Sequence, residues 1–138
     1  MNCPSLTKYF LILATLPLQG VDFNGEIRPL LASKCYACHG PDEEGRKAKL
    51  RLDVRKGALK SEVIVPGKIE ESEFHYRIRS DDPDEIMPPP ESHATLTENE
   101  KDLLDQWIKE GAKYEKHWAF VPPVASDPPA KDSKWERN

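Results

Sequence analysis

Apolar residues recur at helical spacing shortly before residue 35. In residues 22–34, "DFNGEIRPLLASK", the apolar positions Phe23, Ile27, Leu30 and Leu31 fall on one side of a helix. Pro29 interrupts this pattern unless it lies in the first turn, so we expect the helix to begin close to Gly25. The predicted helix leads directly into Cys35.

The clearest helix is predicted from residue 97 onward. Thr97 and Glu100 have the S/T-x-x-E spacing of a capping box, and Gly111 supplies a stop. Between them, one apolar face is formed by Leu103, Leu104, Trp107 and Ile108.

The segment between these helices, residues 40–90, has a mixed pattern. "LRLDV" alternates apolar and charged residues and "VIV" at 63–65 is β-branched, which is compatible with a small pair of strands. "IEESEFHYRIRS" indicates another helix, with Phe74 and Ile78 one turn apart and Glu73 placed to pair with Arg77. Helices therefore dominate, and we predict an all-α domain with a minor two-stranded hairpin as an option.

The two ends of the chain differ from the part between them. Residues 1–20 carry Lys8 and the apolar run "YFLILATLPL", which is about half as long as the ~20 residues of a membrane helix. We interpret them as an export signal, with an uncleaved anchor or a buried first helix as alternatives. The Pro-rich residues 121–138 are predicted to be a linker or a truncated tail, which leaves residues 21–120 as the domain.

Composition narrows the class of protein further. A chain of 138 residues with a formal net charge of -4 fits one modest domain and gives no indication of nucleic-acid binding. Its three cysteines cannot form the disulfide framework of a small secreted protein. If the signal is removed, Cys3 leaves with it, and we expect no membrane span in the mature protein.

The stretch "SKCYACHG" carries the candidate chemistry. Cys35 and Cys38 would face the same way in a helical turn, with His39 directly after them. C-x-x-C-H is the attachment signature of c-type haem: two thioether bonds hold the macrocycle and the imidazole reaches its iron. A thioredoxin-like pair would need a helix N-terminus, and structural zinc would need four ligands. A disulfide or a chance pairing also stays open, but the pattern favours one covalent haem c.

Met87 is the candidate for the other side of the iron. In "DEIMPPPES" three prolines follow it, which favours a stiff polyproline II segment that presents the thioether at little entropic cost. The alternative is a methionine that fills a gap in the core. His93 is the strongest rival, and His75 and His117 are weaker ones.

These ligands decide the expected activity. Histidine and methionine together saturate the iron and raise its potential, so we expect a carrier of single electrons and no enzymatic activity in this chain. A labile distal ligand would instead give a haem-based sensor or a peroxidase-like module.

Charge is unevenly distributed around this candidate site. Residues 45–60 contain seven basic side chains and one acidic, whereas residues 68–85 contain seven acidic and three basic. The basic stretch is predicted to pair with haem propionates or to dock an acidic redox partner. The alternative is a solvated loop that only keeps the protein soluble.

In this order along the chain, "FNGEIRPLLASKCYACHG", "LRLD", "VIVPG", "RIRSDDPDEIMPPP", "LTENEKDLLDQWIKEGA" and "HWAF" resemble the planctomycete-type cytochrome c domain. The resemblance covers about residues 21–120 and implies a cytochrome c-like helical fold around one covalent haem. It also implies Cys35 and Cys38 as thioether cysteines, His39 as proximal ligand and Met87 as distal ligand.

In that family the domain lies at the N-terminus of large exported proteins, so the resemblance implies a periplasmic or otherwise exported location. Members of the family continue beyond the point at which this chain ends. We therefore expect a truncated or separately encoded piece, with a redox partner protein or a fused downstream domain as its partner and any catalytic role in the missing part.

Overall fold

The computed structural model describes residues 20–120 and 122–123 of the chain, and these residues form helices joined by turns. The α-helices are α1 (Arg28–Lys34), α2 (Tyr36–His39), α3 (Arg55–Ala58), α4 (Glu73–Arg79) and α5 (Glu98–Lys109). A π-helical turn, Phe23–Ile27, precedes α1, and 3₁₀ turns lie at Lys60–Glu62, Ile69–Glu71, Pro90–Ser92 and Trp118–Phe120. Within the described residues there is no strand, which confirms the all-α prediction.

The first predicted helix forms in two registers. Asp22 caps the π-helical turn by accepting a 2.9 Å hydrogen bond from the N–H of Gly25. The α-helical register begins only at Arg28, so Pro29 falls in the first turn of α1, where its missing N–H leaves no internal hydrogen bond unmade. The apolar side is nevertheless continuous, because Phe23, Ile27, Leu30 and Leu31 are all buried.

The two later helices also agree with the sequence patterns. In α4, Phe74 and Ile78 are buried and the guanidinium of Arg77 donates to Glu73 at 2.8 Å. In α5 the full capping box between Thr97 and Glu100 is present. Gly111 follows the helix with a φ of 100°, a left-handed conformation that a side chain would strain.

The core lies where α5 packs against the first turns of the chain. The rings of Phe23, Trp107 and Tyr114 form a cluster with centroid separations of 4.7 to 5.9 Å. The remaining buried apolar side chains include Leu52, Ala58 and Ile64 from the middle segment and Leu104 and Ile108 from α5. Residues from the whole described chain therefore share one core.

The optional strand pair does not form. Leu52 and Ile64 are buried, but the segments that contain them are joined to other parts of the chain and not to each other. The N–H of Leu52 donates to His39 and that of Ile64 to Ala58. Alternation alone was therefore misleading here, because these apolar residues reach the core from turns.

Several sequence predictions concern residues outside this description. The predicted signal peptide, apart from Gly20, and the predicted linker, apart from residues 122–123, lie outside the described residues. Among the residues that are described, no helix combines the length and apolar character needed to cross a membrane.

Candidate haem site

The two cysteines and the histidine are placed by the junction of α1 and α2. Cys35 ends α1, and its N–H donates to the carbonyl of Leu31 at 2.8 Å. The chain then turns into α2, where the N–H groups of Cys38 and His39 both donate to the carbonyl of Cys35, at 3.1 and 2.8 Å. One turn of backbone therefore carries all three side chains, as the sequence predicted.

Gly40 allows the chain to leave this turn closely packed. A Cβ at this position would lie 2.3 Å from the carbonyl oxygen of Tyr36, so no side chain can be accommodated there. The following loop folds back onto α2: the N–H of Lys47 donates to Cys38 and that of Leu52 to His39, each at 2.8 Å. These bonds satisfy carbonyl groups that the end of a helix otherwise leaves without partners.

Both thiols of the turn are free and half-buried, and Cys35 packs against the core. Burial raises the pKa of Cys35 to about 12. The neighbouring Cys38 also raises this pKa, whereas the positive charge of Lys34 lowers it slightly. The thiol of Cys35 is therefore uncharged at neutral pH. A thioredoxin-like nucleophile needs the opposite shift, so the environment of Cys35 is unfavourable for that alternative.

The imidazole of His39 is half-buried, and its Nδ1 has no hydrogen-bond partner among the described residues. Burial lowers the pKa of His39, because the charged ring is disfavoured away from water. The nearby backbone of Lys47 has a smaller, opposite effect on this pKa. His39 is therefore held in the neutral form, which is the form that binds a metal ion.

Met87 lies in a separate part of the structure, on the loop that follows α4. Its N–H donates to the carbonyl of Arg77 at 2.9 Å. It lines a cavity of about 260 Å³ together with Ile78, Ile86, Pro88, Pro90, Ala94, Thr95, Leu96 and Lys101. None of the three residues of the cysteine–histidine turn lines this cavity.

The predicted polyproline segment is shorter than expected. The Met87–Pro88 peptide is cis, and Pro89 is extended with φ -70° and ψ 151°. Pro90 already begins the next 3₁₀ turn, because its fixed φ also suits the first position of a helix. The stiff segment therefore consists of fewer residues than the run of prolines.

The beginning of α5 carries a capped carboxylate, Glu100, next to a lysine that lines the cavity of Met87. Hydrogen bonds from Thr97 lower the pKa of Glu100, and the positive charge of Lys34 contributes a smaller part. Lys34 directly precedes Cys35, and Lys101, which follows Glu100, lines the cavity of Met87. The cavity of Met87 thus extends to the first turns of α5 through Lys101.

The rival histidines have other surroundings. The Nδ1 of His75 lies 2.7 Å from a carboxylate oxygen of Asp105, so this ring is held between α4 and α5. His93 is exposed and has a φ of 55°. The Nδ1 of His117 accepts the N–H of Ala119 at 3.2 Å.

The basic stretch forms an open concavity of about 920 Å³. It is lined by Arg51, Val54, Arg55, Lys56, Gly57, Leu59 and Lys60. Arg51 is paired with Asp53, whereas Arg55, Lys56 and Lys60 are exposed and have no ion-pair partner within the described part of the chain. The hydrogen bond between Leu52 and His39 connects this basic surface to the cysteine–histidine turn.

The sequence patterns missed two features near the site. Asp105 is buried on α5 and binds His75 and Arg79 of α4. Tyr114 donates a hydrogen bond to the carbonyl of Leu52 at 3.0 Å, and burial raises its pKa. The contacts of Asp105 could have been expected from its position between the apolar Leu104 and Trp107, because a carboxylate that is buried there needs partners.

Comparison with known proteins agrees with the resemblance. Residues 35–91 match the family model described as Planctomycete cytochrome C. No curated protein and no solved structure matches the chain. The match includes the cysteine–histidine turn and Met87, and it supports haem binding and electron transfer as the broad function. By this match, residues 35–91 are similar to the planctomycete-type cytochrome c domain.

Proposed function

We propose that this chain holds one haem c covalently and carries single electrons in an exported protein. The observation that carries the proposal is the turn at the junction of α1 and α2, where two free thiols and a neutral imidazole lie next to one another. When bound, the haem iron supplies a one-electron redox couple. The residues of the chain attach it, coordinate it and limit its access to water.

Cys35 and Cys38 are the attachment residues. Each thiol would add across one vinyl group of the haem, so that sulfur bonds to carbon, the thiol hydrogen moves to the other vinyl carbon, and no oxidant is consumed. The raised pKa of Cys35 keeps this thiol uncharged and hydrogen-bearing before attachment. Its packing against the core would place one edge of the macrocycle against apolar side chains.

His39 and Met87 are the proposed axial ligands. The neutral ring of His39 offers a lone pair, and its Nδ1 is buried without a hydrogen-bond partner among the described residues. The thioether of Met87 is held on a loop whose backbone is bonded to α4. His39 and Met87 together would leave the iron without an open position, which would favour electron transfer over reactions with oxygen or peroxide.

A second function, a haem-based sensor or a peroxidase-like module, is favoured by one observation. Met87 lies in a cavity that none of the residues of the attachment turn lines. Its loop could therefore move away without disturbing the attachment turn. Any enzymatic activity of the complete protein would belong to a downstream domain.

The proposed partner is an acidic redox protein or a fused downstream domain. Unpaired basic side chains surround the apolar Val54 and Leu59 on the concavity, which matches an acidic surface with an apolar centre. The hydrogen bond from Leu52 to His39 provides a short connection between this surface and the proximal ligand.

The test is the intact mass, under denaturing conditions, of protein exported through a host with cytochrome c maturation. We expect the mass of the chain from about residue 21 plus one haem. This single value would demonstrate haem attachment, export and signal cleavage together. A haem-free mass of exported protein would contradict the proposal. A mass that includes residues 1–20 and one haem would contradict cleavage alone.

A further inference from the structure

The loop that carries Met87 is bound to α4 at several points. The N–H of Met87 donates to the carbonyl of Arg77 at 2.9 Å, and this carbonyl belongs to the last turn of α4, where no helical partner is available. The hydroxyl of Tyr76 donates to the carboxylate of Glu85 at 2.6 Å. Arg77 also approaches the carbonyl of Glu85 at 3.4 Å. The position of Met87 is therefore set by the position of α4.

A buried carboxylate, Asp105, joins α4 to α5, beside the exposed contacts that Arg79 makes with Glu98 and Asp102. One oxygen of Asp105 lies 2.7 Å from Nδ1 of His75. The other accepts hydrogen bonds from Arg79, at 2.9 Å from Nε and 2.7 Å from a terminal nitrogen. The side chain of Asp105 is only 7% exposed, whereas Asp102, which also binds Arg79, is 69% exposed. Charge-assisted bonds of this kind are strong and directional, so Asp105 fixes the orientation of α4.

Apolar packing holds α4 in place independently of these bonds. Phe74 and Ile78 are 7% and 2% exposed and belong to the common core. Without the charge of Asp105, α4 would therefore stay packed on the core, but its angle to α5 would change. Because Ile78 lines the cavity of Met87, a change of angle reaches that cavity directly.

We propose that Asp105 is a positioning residue for Met87, which acts through α4 and keeps the thioether at the iron. This inference rests on the proposed haem function and on Met87 as its distal ligand. In physical terms, Asp105 lowers the population of the state in which Met87 has left the iron. Ligands that compete for the sixth position bind only to that state, so their apparent affinity reports its population.

The experiment compares carbon monoxide affinity and midpoint potential in the haem-loaded, ferrous protein. We expect Asp105→Asn to raise the affinity for carbon monoxide by about tenfold, because the fraction of protein in which Met87 has left the iron rises by that factor. The midpoint potential should fall. Asp102→Asn is the matched control, since it removes the same charge from the same helix at an exposed site. It should leave both values near those of the unaltered protein.

Two further variants separate positioning from stability. Asn24→Ala removes hydrogen bonds from the π-helical turn to residues 115 and 116 and should lower stability without raising the affinity for carbon monoxide. Arg79→Gln removes the guanidinium contacts with Asp105, together with those to Glu98 and Asp102, and should also raise the affinity for carbon monoxide, which keeps the test available if Asp105→Asn fails to fold.

Equal carbon monoxide affinities for Asp105→Asn and Asp102→Asn would overturn the inference, provided that Met87→Ala binds carbon monoxide readily. If Met87→Ala itself has no effect, Met87 is not a ligand and the proposed ligation fails first. Absence of haem from the unaltered protein would contradict the proposed function as a whole.

Discussion

The N–H of Leu52 donates a hydrogen bond of 2.8 Å to the carbonyl oxygen of His39. This bond joins the loop after the attachment turn to the proposed proximal ligand. Leu52 itself is buried, and its own carbonyl accepts the hydroxyl of Tyr114. The basic residues that begin at Arg51 are thereby fixed near His39.

Replacement of both attachment cysteines, Cys35→Ser and Cys38→Ser, should abolish covalent haem. A hydroxyl does not form the thioether, so any remaining haem would be held by the axial ligands alone. Haem staining after denaturing electrophoresis is the measurement. Ser33→Ala, an exposed change just before the turn, should retain full staining. Equal staining of the double variant would contradict the assignment.

Met87→Ala should open the sixth coordination position. Loss of the thioether removes a ligand that favours the reduced iron, so we expect the midpoint potential to fall by roughly 0.1 V or more, within the ~0.8 V range that axial ligands cover. Carbon monoxide should then bind readily. His93→Ala is the control at the exposed rival residue and should change neither property. The opposite pattern would make His93 the ligand.

The basic concavity predicts a rate of electron transfer that depends on salt and charge. Lys56→Glu with Lys60→Glu should slow the reaction of the reduced protein with hexacyanoferrate(III), an anion, on the order of tenfold at low ionic strength. It should not slow the reaction with tris(phenanthroline)cobalt(III), a cationic oxidant. At high salt the difference should disappear, because screening shortens the range of the field to a few ångströms.

Lys109→Glu with Lys113→Glu makes the same change in net charge at exposed positions in and after α5. This control should have a much smaller effect on the reaction with hexacyanoferrate(III). Equal effects of the two double variants, or rates independent of ionic strength, would remove the docking surface and leave a solvated loop.

We predict a loss of stability in alkaline solution from the burial of the Tyr114 hydroxyl. Burial raises its pKa above the value of about 10 that an unfolded tyrosine has. Above that pH the unfolded chain releases a proton that the folded protein retains. The free energy of unfolding therefore falls as pH rises through this range, whereas the contribution is fully present below pH 10.

The measurement is chemical unfolding of the haem-loaded protein and of Tyr114→Phe between pH 7 and pH 11. At pH 7 the variant should be less stable by about 1 kcal/mol, because the hydrogen bond to Leu52 is lost. Above pH 10 the two stabilities should converge. A gap that stays constant over the whole range would show that Tyr114 does not titrate on unfolding.

The helices were predictable from the sequence to the extent that their signals are local. The apolar sides of the first helix and of α5, the capping box of Thr97 and the stop at Gly111 all depend on residues within a few positions of one another. For the same reason the arrangement of Cys35, Cys38 and His39 in one turn could be predicted from spacing alone.

The remaining features depend on contacts between distant segments. The alternation around Leu52 indicated a strand, but a strand needs a partner for its backbone, and here the backbone of Leu52 is used by His39 and Tyr114. The contacts of Asp105 with His75 and Arg79 arise only when α4 packs on α5. No pattern within either helix determines that packing.

The two proposed iron ligands are held by residues at different sequence separations. The backbone of His39 is held by the turn that begins at Cys35 and by the loop that follows it, through the N–H of Leu52. Met87 depends on α4, whose polar contacts with Asp105 join residues 26 and 30 positions apart. The two ligands therefore depend on different parts of the fold: a disturbance of the contacts between α4 and α5 would reach the loop of Met87 and leave the backbone turn of Cys35, Cys38 and His39 in place.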